Sequence, residues 1–505
     1  MEAITSVIDF LNNNLSGYVL VALLIGIGVY FTVRTRFVQV RYLGAGFKNI
    51  FKRKEQKGTR KGISSFQALA TAIAAQVGTG NIVGACGAIL VGGPGAIFWM
   101  WIIAFLGMAT NYAEAVLAQK TKTVNPDGSV SGGPVHYIKE AFRGKFGKIL
   151  AGFFAVSLVI AVGFIGGMVQ ANSITGSVAG VFESFGADIS GYTWIIGIVL
   201  ALLAGFVLIG GINRLASVAE KLVPIMAILY LIGGLLVLGV NIKNLPEAIG
   251  SIFKYAFLPQ ALIGGGFGSA IVKAIQKGAQ RGLFSNEAGM GTTPHAHAQA
   301  DVKDPHDQGV AAMVGVFIDT FIVLTMTALI VITTLYSGDG PLSAISGEVI
   351  DASGMSYAEL AEKVGYADSN MVQRAFQMTF TTIFGGNAAV GNAVGSIFVA
   401  VCLFFFAFST ILSWNFFGKI NFNYLFGKKT TLIYSIISIG CVFAGSIFKN
   451  SLVWGLSDLF NNLMVIPNVM ALFVLGGVVV SLTKFPNKRN KRAIAEDQNI
   501  PELKK

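Results

Sequence analysis

Ala74-Ala75-Gln76-Val77-Gly78-Thr79-Gly80-Asn81 stands in the middle of an apolar run, 63–91, long enough to cross a bilayer. Two glycines and an amide at its centre make a poor membrane anchor. Glycine costs about 1 kcal/mol in a helix interior relative to alanine. Asn81 carries polar groups that hydrocarbon cannot satisfy, and broken backbone at membrane depth survives only inside protein or beside a wet cavity. The stretch therefore reads as a discontinuous helix with freed N–H and C=O groups, or as a small-residue face for close helix packing. The rest of the chain decides for the first.

Hydrophobic residues make up 54% of the 505 and charged residues 12%, against about 25% charged in an ordinary soluble domain. With a mean hydropathy of +0.68, the chain reads as an all-α polytopic membrane protein. Its net charge of +12 sits in loops, where it sets orientation rather than binding nucleic acid. Measured against about 20 residues per crossing, eleven segments are predicted to span: 17–34, 63–91, 93–118, 148–182, 192–212, 214–240, 258–284, 308–336, 393–418, 430–448 and 453–483. The amino terminus is acidic at Glu2 and Asp9, unlike a cleavable signal peptide. Cys86, Cys402 and Cys441 lie in apolar spans without ligand spacing, as buried small hydrophobes.

The stretch 34–61 carries ten Lys and Arg, from Arg34 to Lys61, against one acid, Glu55. It reads as a cytoplasmic loop by the positive-inside rule. The loop 337–391 carries Asp339, Glu348, Asp351, Glu359, Glu362 and Asp368 and reads as external. The amino terminus is then outside and the carboxy terminus inside, in the plasma membrane.

The seventh span contains Gly264-Gly265-Gly266-Phe267-Gly268, four glycines in five positions, followed by a cationic stripe of Lys273, Lys277 and Arg281. The stripe reads as a solvated or headgroup-facing surface. The glycine run predicts a second interrupted helix. Paired interruptions in corresponding places of two halves point to the binding site of a secondary transporter. With the first span set aside, the second span opens one set of five and the seventh opens another of opposite orientation. The predicted units are an extra helix with basic loop (1–61), a first five-helix repeat (62–240), an inverted second repeat (241–483) and a cytoplasmic tail (484–505).

Further candidates lie inside the spans. Gln170 belongs to the helix predicted to line the pocket, while nearby Asn172 reads as interhelical glue. Asp319 is an intramembrane carboxylate, either functional or a structural partner. Glu114 reads as structural. Thr410 lies three residues beyond Ala407, so a carbonyl and a hydroxyl share one face, and Trp414, one turn further, could close a small pocket. His295, His297 and His306 fall in a predicted loop with Asp301, Asp304 and Asp307, without complete metal-ligand spacing.

Two motifs resemble the alanine-or-glycine:cation symporter family. One is Gly92-Gly93-Pro94-Gly95-Ala96-Ile97-Phe98-Trp99-Met100-Trp101-Ile102-Ile103-Ala104-Phe105-Leu106-Gly107. The other is Phe284-Ser285-Asn286-Glu287-Ala288-Gly289-Met290-Gly291, with Thr292-Thr293-Pro294-His295-Ala296-His297-Ala298 after it. The resemblance implies a LeuT-type fold and Na+-driven uptake of a small amino acid, commonly alanine or glycine. Gln76-Val77-Gly78-Thr79-Gly80-Asn81 also resembles the first broken helix of sodium-coupled leucine transporters. That match implies Gly78, Thr79 and Gly80 at the substrate, with the Thr79 and Gly80 amides on its carboxylate. It also implies the Ala74 and Val77 carbonyls at a Na+. Gly266, Phe267 and Gly268 would form the second break, with Phe267 walling the pocket. Ala407 and Thr410 complete the predicted Na+ set, with Asn81 and Asp319 as further candidates.

No nucleophile–base pair or metal spacing sits within the spans, which argues against an enzyme; an ion channel is the other rival class. Within transporters, the alternatives are a proton-coupled symporter, with Lys221 as the nearest titratable group, and a glutamine-preferring member of the family. The orientation is directly testable. Single cysteines placed in 34–61 should resist an impermeant thiol reagent on whole cells and those in 337–391 should react; the reverse pattern inverts the topology.

Overall fold

The computed structural model describes residues 10–12, 19–51, 62–126, 128–257, 278, 281–343, 361–363, 365–448 and 450–484. The first helices are α1 (Val21–Arg34), α2 (Val38–Phe51), α3 (Ser65–Gln76), α4 (Gly80–Gly92) and α5 (Ala96–Thr121). A two-stranded hairpin, β1 (Thr123–Val124) with β2 (Val130–Ser131), precedes α6 (Pro134–Ala141) and α7 (Gly144–Ser184). Next come α8 (Thr193–Ile209), α9 (Gly211–Val240) and α10 (Leu245–Phe257). A helical turn at 281–286 leads to α11 (Pro294–Ala298) and α12 (Pro305–Tyr336). The chain closes with α13 (Met371–Ile383), α14 (Ala388–Phe426), α15 (Thr431–Gly445), α16 (Asn450–Val474) and α17 (Gly476–Leu482).

Among the described residues, seven helices are long and apolar enough to cross a bilayer, and nine spans result when two bent pairs are each taken as one. The eleven predicted spans are therefore not all reproduced. Most of 258–284 lies outside the described residues, including Gly266, Phe267, Gly268, Lys273 and Lys277. The segment 430–448 contains α15, whose 15 residues extend roughly 22 Å at 1.5 Å each, short of a hydrocarbon core of about 30 Å.

The bent pairs differ in cause. Between α1 and α2 the chain turns by 79°, with Arg36 and Phe37 at positive φ. The first part of the predicted loop 34–61 is thus helical. Its charges are dense, but Val38 is fully buried, so one face packs on the protein. Between α3 and α4 the bend is 50°. Helix α3 starts with a reciprocal capping box, the Ser64 side chain accepting from the Gln67 N–H while the Gln67 side chain accepts from Ser64. At the same end, Ile63 pairs in parallel with Ala300, through Ile63 N–H to the Gln299 carbonyl (3.2 Å) and Asp301 N–H to the Ile63 carbonyl (2.9 Å). This joins the start of the first interrupted helix to the chain just beyond α11.

The arrangement sorts into centre and rim. Apolar windows of α5 and α14 are 67% buried, whereas that of α8 is 33% buried. Leu202, Phe206 and Ile209 on α8 are exposed, an outer surface suited to lipid. At the centre α7 crosses α14 at Gly163 and Gly418. A Cβ built on Gly418 would lie 2.6 Å from the Gly163 Cα and 2.2 Å from the Tyr434 hydroxyl. Small residues let membrane helices approach at such crossings. Gly418→Ala should therefore destabilise the bundle by about 1–3 kcal/mol, the usual cost of overpacking. Gly440→Ala, where no atom lies within 4 Å, should be neutral or mildly stabilising. Thermal unfolding of the two variants in detergent checks the contrast, and equal behaviour would contradict the crossing.

Candidate functional site

The break between α3 and α4 leaves backbone groups without helical partners, and side chains from α4 itself and from distant helices take them up. Gly78 N–H donates to the Asn81 side-chain oxygen at 3.0 Å. Thr79 N–H donates to Oε1 of Gln170, on α7, at 3.3 Å. On the other side of the break, the Thr410 hydroxyl of α14 lies 3.0 Å from the Ala74 carbonyl and 3.4 Å from that of Ala75. It is also 3.1 Å from the Phe406 carbonyl one turn back. The Ser409 hydroxyl joins the same group, 3.3 Å from Ala74 O and 2.9 Å from Phe406 O. Three carbonyls and two hydroxyls thus converge, all neutral oxygens. Ala407 and Val77 are buried beside them. Among the described residues their carbonyls accept no bond from either hydroxyl, so Ala75, Phe406 and Ser409 join a cluster for which the sequence suggested Val77 and Ala407.

A Cβ on Gly78 would stand 2.4 Å from the Thr410 hydroxyl oxygen, so only glycine fits. At Gly80 the Cβ would meet Phe284 and the Ser285 Cα, both at 3.1 Å. Facing the first break, then, is the segment 284–291. The helical turn 281–286 ends there, and the chain reverses through Glu287 at φ 57°, Gly289 at 89° and Gly291 at 81°. Gly266, Phe267 and Gly268, the residues expected opposite the first break, lie outside the described residues. Phe284, Ser285 and Glu287 were not singled out as site residues from sequence; their motif was legible only as a family signature.

Three buried carboxylates surround this second turn. Glu114 of α5 accepts from Gly289 N–H (3.1 Å), Gly291 N–H (3.0 Å) and Asn468 Nδ2 (2.6 Å). It braces the left-handed turns. Glu287 accepts from the Trp414 indole N–H and from the Thr292 hydroxyl. Asp319 lies in a π-helical stretch of α12, Phe317–Leu324, opposite the π-helical start of α4, Gly80–Gly84; such stretches recur at functional sites. Its carboxylate accepts from Asn81 Nδ2 (2.6 Å), the Thr320 hydroxyl (2.7 Å) and the Ser285 hydroxyl (3.0 Å). Asn81, Ser285 and Asp319 therefore bring three interrupted elements to one point. Gln76 adds a fourth tie, donating to the Asn286 carbonyl at 2.7 Å. Its Oε1 and the Thr79 hydroxyl are buried without a hydrogen-bond partner among the described residues.

Trp414 is buried and packs edge-on against Phe284, ring centroids 5.7 Å apart. Phe284 in turn meets Trp454 at 5.0 Å, and the Arg281 guanidinium lies over Trp454 at 5.0 Å. Arg281 sits 3.8 Å from Asp458, its side chain only 19% exposed. The sequence placed Arg281 on a solvated stripe; instead it caps an aromatic stack.

The reading of the histidines changes as well. His295 and His297 lie in buried α11 rather than in an open loop, and His306 is on the first turn of α12. His295 is flanked by Phe154 and Phe417 and bonded to the Thr292 carbonyl and Asn421. No group of three His, Cys, Asp or Glu suited to a metal occurs among the described residues. Asn172 donates to the Gly445 and Phe448 carbonyls, tying α7 to the end of α15. Lys221 is exposed on α9.

A helical membrane bundle in which two interrupted segments meet at buried polar breaks defines the secondary-transporter class. The sequence profile of the sodium:alanine symporter family matches residues 1–500, and the chain belongs to that family. It is therefore a transporter and not an enzyme. It is 37% identical over 487 residues to the sodium/alanine symporter AgcS of Methanococcus maripaludis, covering 96% of this chain and 98% of that one. It is 36% identical over 493 residues to the amino-acid carrier protein AlsT of Bacillus subtilis, covering 95% and 93% respectively. The fold is similar to that of MhsT, solved in complex with L-phenylalanine, with a TM-score of 0.58 at 15% identity over 86% of this chain and 95% of that one. The architecture is thus LeuT-type.

Glu114 gives a test of the second turn. In Glu114→Gln the amide nitrogen would set a donor against a donor at one of three N–H partners. Leaving a buried group unpaired costs about 1–3 kcal/mol. The variant should unfold at lower temperature in detergent, and an unchanged unfolding temperature would remove Glu114 as the brace.

Proposed function

We propose that the protein is a Na+-coupled symporter that imports a small neutral amino acid, alanine or glycine, across the plasma membrane by alternating access. In this reading it has eleven spans, two inverted five-helix repeats (62–240 and 241–483) and an extra first helix. The observation that carries the reading is the Thr410 hydroxyl against the Ala74 and Ala75 carbonyls. There α14 meets the broken end of α3 through neutral oxygens, the ligand type that hard cations take. One Na+ would be held by Ala74 and Thr410, with Ala75, Phe406 and Ser409 adding oxygens and Val77 and Ala407 beside them.

The substrate carboxylate would be received at Gly78, Thr79 and Gly80. Gln170 Oε1 on the Thr79 amide occupies the kind of position where a charged oxygen binds more strongly than an amide. Trp414 and Phe284 would wall the pocket and limit side-chain size; Gly266, Phe267 and Gly268 remain expectations from the family resemblance. Asp319, with Asn81 and Ser285, would form a second cation position. Two buried carboxylates, Asp319 and Glu287, support a proton-coupled symporter as the second reading, because among the described residues each is bonded only to neutral donors.

Uptake of labelled alanine and glycine into proteoliposomes separates the readings. A sodium gradient should drive accumulation, and a pH gradient alone should not. Thr410→Val keeps the shape and removes the hydroxyl. It should raise the sodium concentration for half-maximal uptake by roughly five- to a hundredfold, the range for a lost buried oxygen contact of about 1–3 kcal/mol. Alanine affinity at saturating sodium should change less. Uptake that follows pH and ignores sodium would overturn the coupling ion and leave Asp319→Asn as the next variant.

A further inference from the structure

At the end of the bundle that carries 337–391, external in the proposed orientation, a cavity of about 590 Å³ opens between the ends of α9 and α12, helix α13 and the start of α14. That volume is in the range of small-molecule sites, about 300–1,000 Å³, but the lining is unlike that of an apolar pocket. Asn241, Asn244, Thr334, Thr379 and Asn392 contribute amides and hydroxyls, and Met378 is the one apolar side chain beside the Tyr366 ring among the described residues. The walls are held by the protein itself. Asn241 Nδ2 donates to the Thr379 hydroxyl at 3.3 Å and Asn244 Nδ2 to the Thr333 carbonyl at 2.9 Å. Gln377 Nε2 donates to the Ser396 hydroxyl at 2.7 Å, joining α13 to α14. A Cβ on Gly395 would stand 2.6 Å from the Gln377 backbone nitrogen, so these two helices touch through backbone. The cavity is preformed.

Two opposite charges line it: Arg374 on α13 and Asp339 in the turn after α12. Both are exposed, and neither forms an ion pair within 4 Å among the described residues. The Arg374 guanidinium donates to Gln377 Oε1 at 3.4 Å, a neutral acceptor. On the Asp339 side, the neighbouring Gly338 N–H is taken by the Glu247 carboxylate at 3.2 Å, so that end is acidic twice over. A guanidinium and a carboxylate that line one cavity without meeting match a molecule that carries both charges. Guanidinium groups pair with carboxylates through two parallel hydrogen bonds, and a carboxylate accepts from an ammonium.

We propose that this cavity is a second binding site, apart from the breaks, for a free zwitterionic amino acid, with its carboxylate at Arg374 and its ammonium at Asp339. Bound there, the amino acid joins α13 to the turn after α12. That it is the same alanine or glycine as the transported one rests on the proposed function; the zwitterion chemistry does not.

The test places a thiol on the lining, at exposed Thr382. In Thr382→Cys, purified in detergent, modification by a hydrophilic thiol reagent is followed during titration with alanine, with lactate, which lacks the ammonium, or with alaninamide, which lacks the carboxylate. Alanine should slow the modification without sodium present, and the other two should need at least about tenfold more, the cost of one charged hydrogen bond. Adding Arg374→Gln or Asp339→Asn should raise the alanine concentration for half-protection by about tenfold, and Arg374→Lys should do so less. Half-protection, unlike the rate itself, is independent of how reactive the thiol is. Labelled-alanine uptake into proteoliposomes is measured beside it: protection that persists in a protein with no sodium-driven uptake keeps this site and removes the proposed function. Absence of protection, equal protection by lactate or alaninamide, or protection that needs sodium, shifts with Thr410→Val and ignores both charge variants overturns the proposal.

Discussion

The structure depends on one constraint: backbone freed inside a membrane protein must find partners within the protein. At the α3–α4 break, Asn81 takes the Gly78 amide and Gln170 takes the Thr79 amide, while the Thr410 hydroxyl answers the Ala74 and Ala75 carbonyls. These three side chains come from α4, α7 and α14. The break therefore fixes how α7 and α14 stand against the interrupted helix. The glycine contacts follow from the same demand, since Thr410 can reach the broken end only where residue 78 has no Cβ.

The second turn meets the same constraint with carboxyl groups, aided by the Asn468 amide. Its left-handed residues include Glu287, a non-glycine at φ 57°, a conformation that persists only when surrounding contacts over-determine it. Those contacts are visible. Glu287 is held by Trp414 and Thr292, and Glu114 collects the Gly289 and Gly291 amides. The Trp414 ring is thereby anchored to the turn it faces. A change in the turn and a change in the aromatic wall are one event, not two.

Composition and run length made the membrane class legible, because hydrocarbon thickness imposes a minimum span that few soluble helices reach. The first break was legible for a local reason: Gly78, Gly80 and Asn81 contradict the apolar run around them. The turn at 287–291 was not. Its first residue is a glutamate, and nothing in single-residue preference marks a glutamate for positive φ. The glycine run 264–268 drew the reading instead. Helix α2 was hidden by charge density, although its buried Val38 shows that a basic segment can still pack one face. Arg281 was misread similarly: helical spacing gave its face, but Trp454 and Asp458 come from α16, far away in sequence. Long-range partners of this kind leave no local trace.

The two segments are also joined away from the breaks. Ile63 and Ala300 form a short parallel bridge, and Gln119 donates to the His297 carbonyl and, at 3.0 Å, to that of Ala300. Gln67 of α3 reaches Glu220 on α9 at 3.0 Å. Among the described residues, the start of α3 is thus tied to the chain beyond α11 through backbone, and both are tied to neighbouring helices through side chains. Backbone pairing fixes register, whereas a single side-chain hydrogen bond contributes about 1 kcal/mol. A rearrangement that exposes the breaks on this side costs least when α3 and α11 move together and the Gln67–Glu220 and Gln119 contacts give way. Asn81–Asp319 and Thr410–Ala74 lie at the broken ends themselves, so the polar cluster is where such a rearrangement would turn.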